Sequence, residues 1–524
     1  MVKLLGPWLV VATVTLACTP PDDPFDFDFC DVAQCGAGVC NESARSCDCD
    51  PGYHYDDIDQ TCIAGGEDLC ADVVCDEGQF CDSATGECGD TCTPDHESGD
   101  FAFCTATTTT GYVVVVSYIG DGELDLAASQ TRLNGADVDL SADYNAASQT
   151  FTIRASALAP SKYSYLFRMK TAAGGDIRPL FLPMWIGSGV RYADFTWRDA
   201  ILYQVFTDRF LNGDTSNDID NSSGDLARVT DDRMRWHGGD FAGILAKMRE
   251  GYFEQMGINT LWISSPVLQS HNSQPSVDPN STVRSSSYHG YHPVASGYTY
   301  LDHYGYDNPI EPAFGTPAEL HELVNEAHSR GIRIVPDFVA NHVHIEAEMY
   351  RRHPEWFFPY EPCIGRWDEG RIDCWFTSDM PDIDYGGHPD AVKAVVDHAI
   401  WLIEEFNFDG FRADALKHMD DSFVRALRAA VSDQIETRVK DHDRPDEPTV
   451  FYMVGESLGG WARYHVRTDM VQGQVDEGYY NMVKASLLNF SDSARSLAEF
   501  AVDNDTAYLT SSRSSAAPVA TRAR

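Results

Sequence analysis

Downstream of about residue 197, short apolar runs alternate with longer amphipathic stretches, and this alternation does most to limit the fold. The runs are ILYQVF (201–206), INTLWISS (258–265), IRIVPDFV (332–339), FDGFRA (408–413) and TVFYMVGE (449–456). Each has the length and the β-branched or aromatic content of a strand. Between them lie DFAGILAKMREGYFEQM, TPAELHELVNEAHSRG and HPDAVKAVVDHAIWLIEEFN, which read as helices. In the last of these Val392, Val395, Val396, Ala399, Leu402, Ile403 and Phe406 recur at helical spacing and mark a core face. Strands that alternate with helices form βα units around a parallel sheet, either open or closed into a (β/α)8-type barrel. In both architectures the C-terminal ends of the strands form the ligand face.

Upstream the composition changes. Residues 105–195 hold TGYVVVVSYIG, LDLAASQTRL, TFTIRASAL and KYSYLFRMKTA, short β-rich runs punctuated by Gly, Asn, Asp and Pro, the pattern of a β-sandwich. Of the 15 cysteines, 12 lie between Cys30 and Cys104. That density marks a small module stapled by disulfides in an oxidising compartment. Zinc is the competing reading, but there is no paired CxxC and His54 stands alone.

Asp plus Glu number 81 against 38 Lys plus Arg, so phosphate backbones and anionic lipid repel the chain and nucleic acid is not an expected partner. A neutral ligand or bound cations suit it better. The N-terminus, MVKLLGPWLVVATVTLAC, has one lysine, an apolar run and small residues, as secretory signals do. Its end, Thr15-Leu16-Ala17-Cys18, resembles a bacterial lipoprotein box, which implies a lipidated Cys18 on the cell surface or outer membrane. Simple signal-peptidase cleavage, giving a secreted protein, stays open. No later apolar run has the length of a membrane span.

Three strand ends carry polar residues: Asp337 with Asn341 and His342, Arg412 with Asp414, and Glu456. A barrel gathers them around one pocket. Double-displacement cleavage of a glycosidic bond needs one carboxylate as nucleophile and a second as acid, roughly 5–5.5 Å apart. Arg412 is expected to keep Asp414 ionised, since a neighbouring cation lowers a carboxylate pKa. Glu456, flanked by Val454 and Gly455, is expected in a less polar setting that lets it donate a proton. Each signal alone has a bland reading: an Arg-x-Asp as a salt bridge, a strand-end Glu as a solvated group. Their joint occurrence on successive strands favours the site.

The segments GINTLWISSPV (257–267), YHGY (288–291), FGT (314–316), DFVANH (337–342), MPDID (380–384), GFRADALKH (410–418) and VGES (454–457) resemble motifs of the alpha-amylase clan of glycoside hydrolases. YQVFTDRFLNGDTSND with GGDFAG is especially similar to cyclodextrin glucanotransferases and maltogenic amylases. The resemblance implies Asp414 as nucleophile, Glu456 as general acid/base and Arg412 orienting Asp414. It places Asp337, His342 and Tyr291 at the sugar subsite next to the cleavage point, and Lys417 and His418 on the acceptor side. His342 has a competing reading as a core histidine. The resemblance also implies calcium, a hard cation that takes about six to eight oxygen ligands. One expected site uses Asn341, Asp382 and the carbonyl of His418. The other uses Asn212, Asp214, Asn217, Asp218, Asp240 and the carbonyl of Gly238, with a metal-free Asx-rich turn as the alternative. The implied substrate is an α-1,4-glucan, cleaved with retention, with transglycosylation and inactive glucan binding as alternatives.

Upstream, the run from Cys30 to Cys62, ending in CDCDPGYHYDDIDQTC, resembles an EGF-like module. That resemblance implies bridges Cys30–Cys40, Cys35–Cys47 and Cys49–Cys62, although spacing alone leaves roughly 15 pairings open. Cys363 and Cys374 are expected to close a local bridge. The expected organisation is a signal peptide at 1–17, an acidic linker at 18–29, the EGF-like module at 30–64 and a second Cys-rich unit at 65–104. A β-sandwich at 105–195 and a barrel at 196–510 follow, with a B domain inserted at 343–388. The Asn-His-Asp motif of the clan does not occur, and the tail at 511–524 has three arginines and no acid. Together they lead to the expectation of an incomplete, C-terminally truncated barrel.

Overall fold

A computed structural model of the chain describes residues 91–295, 309–437 and 450–457, short stretches at 38–41, 46–49, 53–56, 61–64, 79–81 and 88–89, and parts of 464–496. The leader, Cys18, the 511–524 tail and the side chains of the expected bridges Cys30–Cys40, Cys35–Cys47 and Cys49–Cys62 lie outside the described residues. Two contact units divide the chain, Met1–Ile63 and Ala64–Arg524. In the first, strand Gly38–Asn41 pairs antiparallel with Ser46–Cys49, and Tyr53–Asp56 pairs with Thr61–Ala64.

In the second unit a short antiparallel pair, Phe80–Cys81 with Cys88–Gly89, precedes a two-sheet sandwich. One sheet has the order β6-β7-β3-β2-β1, built from β1 (His96–Ser98), β2 (Phe101–Thr108), β3 (Gly111–Tyr118), β6 (Tyr144–Asn145) and β7 (Thr150–Ala155). The other has the order β5-β4-β8-β9, from β4 (Gln130–Leu133), β5 (Ala136–Asp137), β8 (Ser161–Arg168) and β9 (Leu180–Ile186). Phe101, Phe103, Val114, Val116, Phe151, Tyr165, Phe167 and Leu182 fill the space between them. The VVVV run of β3 is apolar throughout because its second face is covered too: Val113 and Val115 pack with Cys92 and Cys104, which are disulfide-bonded. The strands thus begin at His96, upstream of the expected residue 105, and Cys92 and Cys104 staple the sandwich itself.

Six strands then form one parallel sheet in chain order. They are β10 (Leu202–Val205), β11 (Thr260–Ile263), β12 (Arg333–Phe338), β13 (Gly410–Ala413), β14 (Tyr452–Gly455) and β15 (Gly473–Gln474). The five anticipated runs supply the first five. Every residue of β12 is buried, as the near-continuous apolar run of a two-sided parallel strand requires. The longest helices among the described residues are α1 (Phe241–Arg249), α2 (Pro317–Ser329), α3 (Pro389–Phe406) and α4 (Asp421–Gln434). α2 starts with a capping box, Thr316 Oγ1 accepting from Glu319 N while the Glu319 carboxylate accepts from Thr316 N. α3 stops at Asn407, which takes the left-handed conformation at φ 59. Its expected core face is buried, with Val392 partly so. The single helix expected over DFAGILAKMREGYFEQM is two, because Gly251 turns left-handed at φ 75 between Arg249 and a short helix at Tyr252–Gln255.

The sandwich seats against the end of the sheet opposite the strand C-termini. Along β8, Tyr163, Tyr165 and Phe167 pack against the sandwich core, while Leu166 joins the barrel core and Lys162 and Ser164 reach the barrel chain at Asp409 and Asn407. The β4–β5 turn, Asn134-Gly135, presses on α2: Asn325 Nδ2 donates to Asn134 O at 3.1 Å, and a Cβ on Gly135 (φ 82) would meet His321 Nδ1 at 2.5 Å.

Candidate active site

Strand register brings the polar ends together. Asp337 lies opposite Arg412 across β12 and β13, and Arg412 lies opposite Val454 on β14, two residues before Glu456. The Arg412 guanidinium lies among three carboxylates. Its Nη1 bonds Asp337 Oδ1 at 2.7 Å and Asp414 Oδ1 at 2.5 Å, and its Nη2 pairs with Glu456 Oε2 at 2.8 Å. Asp337 Oδ2 accepts from Tyr291 Oη at 3.0 Å and Trp262 Nε1 at 3.2 Å. Beyond Asp414, Ala415 adopts φ 50, a left-handed turn rare outside glycine, and its N–H donates to Glu456 Oε2 at 3.2 Å. The chain is thus bent so that backbone and guanidinium converge on one carboxylate oxygen.

The electrostatics reverse one expectation. Burial raises the Asp414 carboxyl above the usual carboxylate range, and the charges of Asp337 and Glu456 add to it, against the opposing pull of Arg412. Asp337 is likewise raised by burial, with Arg412, Tyr291 and Trp262 opposing. One guanidinium cannot offset three carboxylates, so the cluster retains a proton past the usual range, a property of the group rather than of one residue. Glu456 does not sit in an apolar setting: its side chain is 39% exposed, against 9% for Asp414. Val454 and Gly455 belong to the buried strand, but the glutamate projects beyond its end. Burial works against the charge on Arg412, yet the carboxylates hold its pKa well above the ordinary value. Burial also keeps Tyr291 a neutral donor by raising its phenol.

The flanking residues are placed by their own partners. His342 is buried, its pKa pushed down to about 4 by burial, and its Nε2 lies 3.0 Å from Tyr291 O. His418, also lowered to about 4 by burial, directs Nδ1 to Arg371 O at 2.7 Å. Lys417 Nζ bonds Asp368 Oδ1 at 2.6 Å, so the inserted segment reaches the residues that follow β13. That insert is closed by the Cys363–Cys374 disulfide. Of its aromatics, Phe357 and Trp375 are buried whereas Trp367 is exposed beside Phe376 and His418.

A match to the alpha-amylase catalytic domain model spans residues 204–477, just over half the chain. The chain belongs to the alpha-amylase catalytic domain family. It is 30% identical over 239 residues to an alpha-amylase of Niallia circulans, covering 42% of each chain. It is 30% identical over 248 residues to a cyclomaltodextrin glucanotransferase of Thermoanaerobacterium thermosulfurigenes, covering 42% of this chain and 31% of that protein. A periplasmic alpha-amylase of Escherichia coli (strain K12) is 25% identical over 376 residues, covering 57% of this chain and 51% of that one. The chain therefore spans about half or less of the length of these relatives. The curled six-stranded parallel sheet agrees with an incomplete (β/α)8 barrel of the alpha-amylase type.

Within that family frame, the residues expected to bind calcium meet a physical test. Asn341 and Asp382 are buried, and Asn341 Oδ1 and Asp382 Oδ2 have no hydrogen-bond partner. Burial drives the Asp382 carboxyl well above its ordinary range, the mark of an anion lacking a counter-charge. In the second set, Asn212 Oδ1 and Asn217 Oδ1 are buried without partners. A Cβ on Gly238 would lie 2.3 Å from Asp218 Oδ1 and 2.5 Å from Asn212 Nδ2, so only glycine lets its backbone approach them. Asp240 accepts from Asp214 N at 2.7 Å and caps α1 through Gly243 N at 2.6 Å, and Asp214 accepts from Ser216 N. Both sets are oxygen-rich and rely on Asn and carbonyl groups; among the described residues no cluster of three or more His, Cys, Asp or Glu is arranged to hold a metal. These donors suit a hard cation.

Two functional positions escaped the sequence reading. Trp262, inside GINTLWISSPV, lies opposite Val335 and turns its indole N–H to Asp337, with Arg412 at 4.8 Å from its ring centroid. A large aromatic with a polar tip in an otherwise aliphatic buried strand was the available signal. Asp368 is separated from Lys417 by the rest of the insert and α3, and nothing local marks the pair.

Proposed function

We propose that this chain is a retaining glycoside hydrolase of the alpha-amylase type acting on α-1,4-linked glucans. The observation that carries the reading is the single guanidinium of Arg412 holding Asp337, Asp414 and Glu456 at three successive strand ends. The nucleophile is the Asp414 carboxylate. It attacks the anomeric carbon while Glu456 gives its proton to the departing glycosidic oxygen, so the C1–O bond breaks as the C1–carboxylate bond forms. Glu456, now ionised, takes a proton from water, and that oxygen attacks C1 to release Asp414 with net retention. Because the Glu456 side chain is partly exposed on the rim, water can reach its carboxylate for the second step. Asp414, roofed over and buried, is shielded from water and approaches only a docked sugar. Asp337 and Tyr291 orient Arg412, and His342, neutral, gives its Nε2–H to the Tyr291 carbonyl and so holds that residue in place.

Lys417 and His418 line the acceptor side, where a sugar hydroxyl in place of water gives transglycosylation. Similarity to a cyclomaltodextrin glucanotransferase as well as to alpha-amylases supports that second reading. Calcium would be held by Asn341, Asp382 and the His418 carbonyl, and by Asn212, Asp214, Asn217, Asp218, Asp240 and the Gly238 carbonyl. When bound it supplies positive charge that ties the insert and the β10 loop to the sheet. The leader and Cys18 support export, with or without a lipid anchor, and among the described residues no helix is long and apolar enough to cross a membrane. Reducing-sugar release from starch by the purified chain, lost in Asp414→Asn, is the test. A wild-type chain that releases none, or an Asp414→Asn variant that matches it, overturns the reading.

A further inference from the structure

Asp409 ties together the three strands that carry the site. It stands immediately before β13. Its N–H donates to Ile334 O at 3.0 Å and its carbonyl accepts from Tyr452 N at 3.1 Å, so its backbone bridges β12 and β14. Its carboxylate adds a second bond to β12, Oδ2 accepting from Ile334 N at 2.8 Å. These are the strands that end in Asp337, Arg412 and Glu456. A carboxylate only 4% exposed cannot stay ionised there without a counter-charge.

The counter-charge comes from the sandwich. Lys162 of β8, also 4% exposed, places Nζ 2.9 Å from Asp409 Oδ1, 3.2 Å from Asn407 O and 3.5 Å from Phe408 O, which accounts for all three of its donors. His328 of α2 contributes Nε2 to Asp409 Oδ2 at 2.8 Å, while its Nδ1 faces Asn407 Nδ2 at 3.5 Å, the arrangement of a neutral ring donating through Nε2. Arg333 feels the charge of Asp409 but makes its direct contacts elsewhere: its guanidinium stacks on Trp185 and Phe195 and bonds Arg191 O at 2.7 Å and Tyr192 O at 3.1 Å. The family match begins at residue 204, so Lys162 lies outside the catalytic domain whose carboxylate it neutralises.

We infer that the β-sandwich is a built-in part of the catalytic unit and that Lys162 is a positioning residue, holding through Asp409 the register of the strands that present Asp337, Arg412, Asp414 and Glu456. This rests on the proposed glycosidase reading for its kinetic consequence but not for its structural one. The test uses the full chain with Lys162→Met, the charge-retaining Lys162→Arg, and Arg132→Gln, which breaks another sandwich–barrel ion pair, Arg132–Glu405, without touching Asp409.

On maltooligosaccharides below every melting temperature, Lys162→Met is expected to lose about a hundredfold in kcat with KM within about twofold, the signature of misplaced catalytic groups. Lys162→Arg should recover most of the rate and Arg132→Gln should match wild type. Amide exchange reads the same claim without activity: peptides covering 332–338, 408–414 and 450–456 should exchange roughly tenfold faster in Lys162→Met than in Arg132→Gln. If Lys162→Met does not fold, Lys162→Gln takes its place in both assays. Unchanged exchange in those peptides overturns the inference, as does a kcat within twofold of wild type. A wild-type chain without activity overturns the glycosidase reading alone, and exchange then decides the role of Lys162.

Discussion

Replacing Asp337 by Asn tests whether the three carboxylates share one charge balance. Asp337 Oδ1 and Asp414 Oδ1 bond the same nitrogen of Arg412 at 2.7 and 2.5 Å, so they lie within about 5 Å of each other. Two unit charges at that separation, at an effective dielectric near 20, repel by roughly 3 kcal/mol. Removing one of them should lower the pKa of the other by about 2 units. Since kcat/KM rises with pH as the nucleophile ionises, the acidic limb of its pH profile should move to lower pH by about 1 to 2 units in Asp337→Asn, the smaller figure allowing for screening by Arg412. The plateau should fall as well. Asp337 now accepts from Arg412, Tyr291 and Trp262, and an amide nitrogen in place of Oδ2 would face two donors, a mismatch worth about 1–3 kcal/mol. The assay is the pH dependence of kcat/KM on a short maltooligosaccharide, with circular dichroism confirming the fold at each pH. A limb that stays in place, or moves to higher pH, refutes the shared-charge argument.

Other outcomes follow from the same geometry. Trp262→Phe keeps the ring but removes the N–H bound to Asp337, and kcat/KM at the pH optimum should fall about tenfold, the worth of one hydrogen bond to a charged group. Asp414→Asn should abolish activity yet stabilise the fold. The folded carboxyl has a pKa above its unfolded value, so its contribution to stability is retained at low pH and lost as pH rises through the folded pKa. The variant's melting temperature should exceed wild type by a few degrees, and by more at pH 8 than at pH 5. Chelation by EGTA should lower the melting temperature and added calcium restore it, and Asp382→Ala should blunt that response, since it removes a buried oxygen that now has no partner.

Much of this was legible because parallel strands are apolar on both faces and place their polar residues only at their ends. Asp337, Arg412 and Glu456 stand out in IRIVPDFV, FDGFRA and TVFYMVGE for that reason, with Asp414 directly after the second run, and strand order alone then brings them together. What their neighbours in sequence could not convey was exposure. Glu456 follows Val454 and Gly455 but extends beyond the last paired residue onto the rim, whereas Asp414 is enclosed by residues far along the chain, Tyr291 among them. Lys162 was hidden for a similar reason. In KYSYLFR it reads as the outward polar residue of a strand, and its partner Asp409 is 247 positions away. Cys92 and Cys104 were placed with the cysteines before them, since cysteine density does not reveal that β2 and β3 need a cover on their second face. Gly251 divides a helix whose apolar periodicity runs on across it, because backbone freedom at one residue leaves the hydrophobic pattern intact.

The most direct measurement is of the covalent intermediate. Incubated with a 5-fluoro-α-glucosyl fluoride, which slows release of the glycosyl group more than its transfer, the chain is digested and its peptides weighed. If Asp414 is the nucleophile, the peptide containing GFRADALKH gains one fluoroglucosyl unit, localised by fragmentation to Asp414, and Asp414→Asn gains none. A label on Asp337 or Glu456, or an unlabelled chain that still releases sugar from starch, contradicts the account.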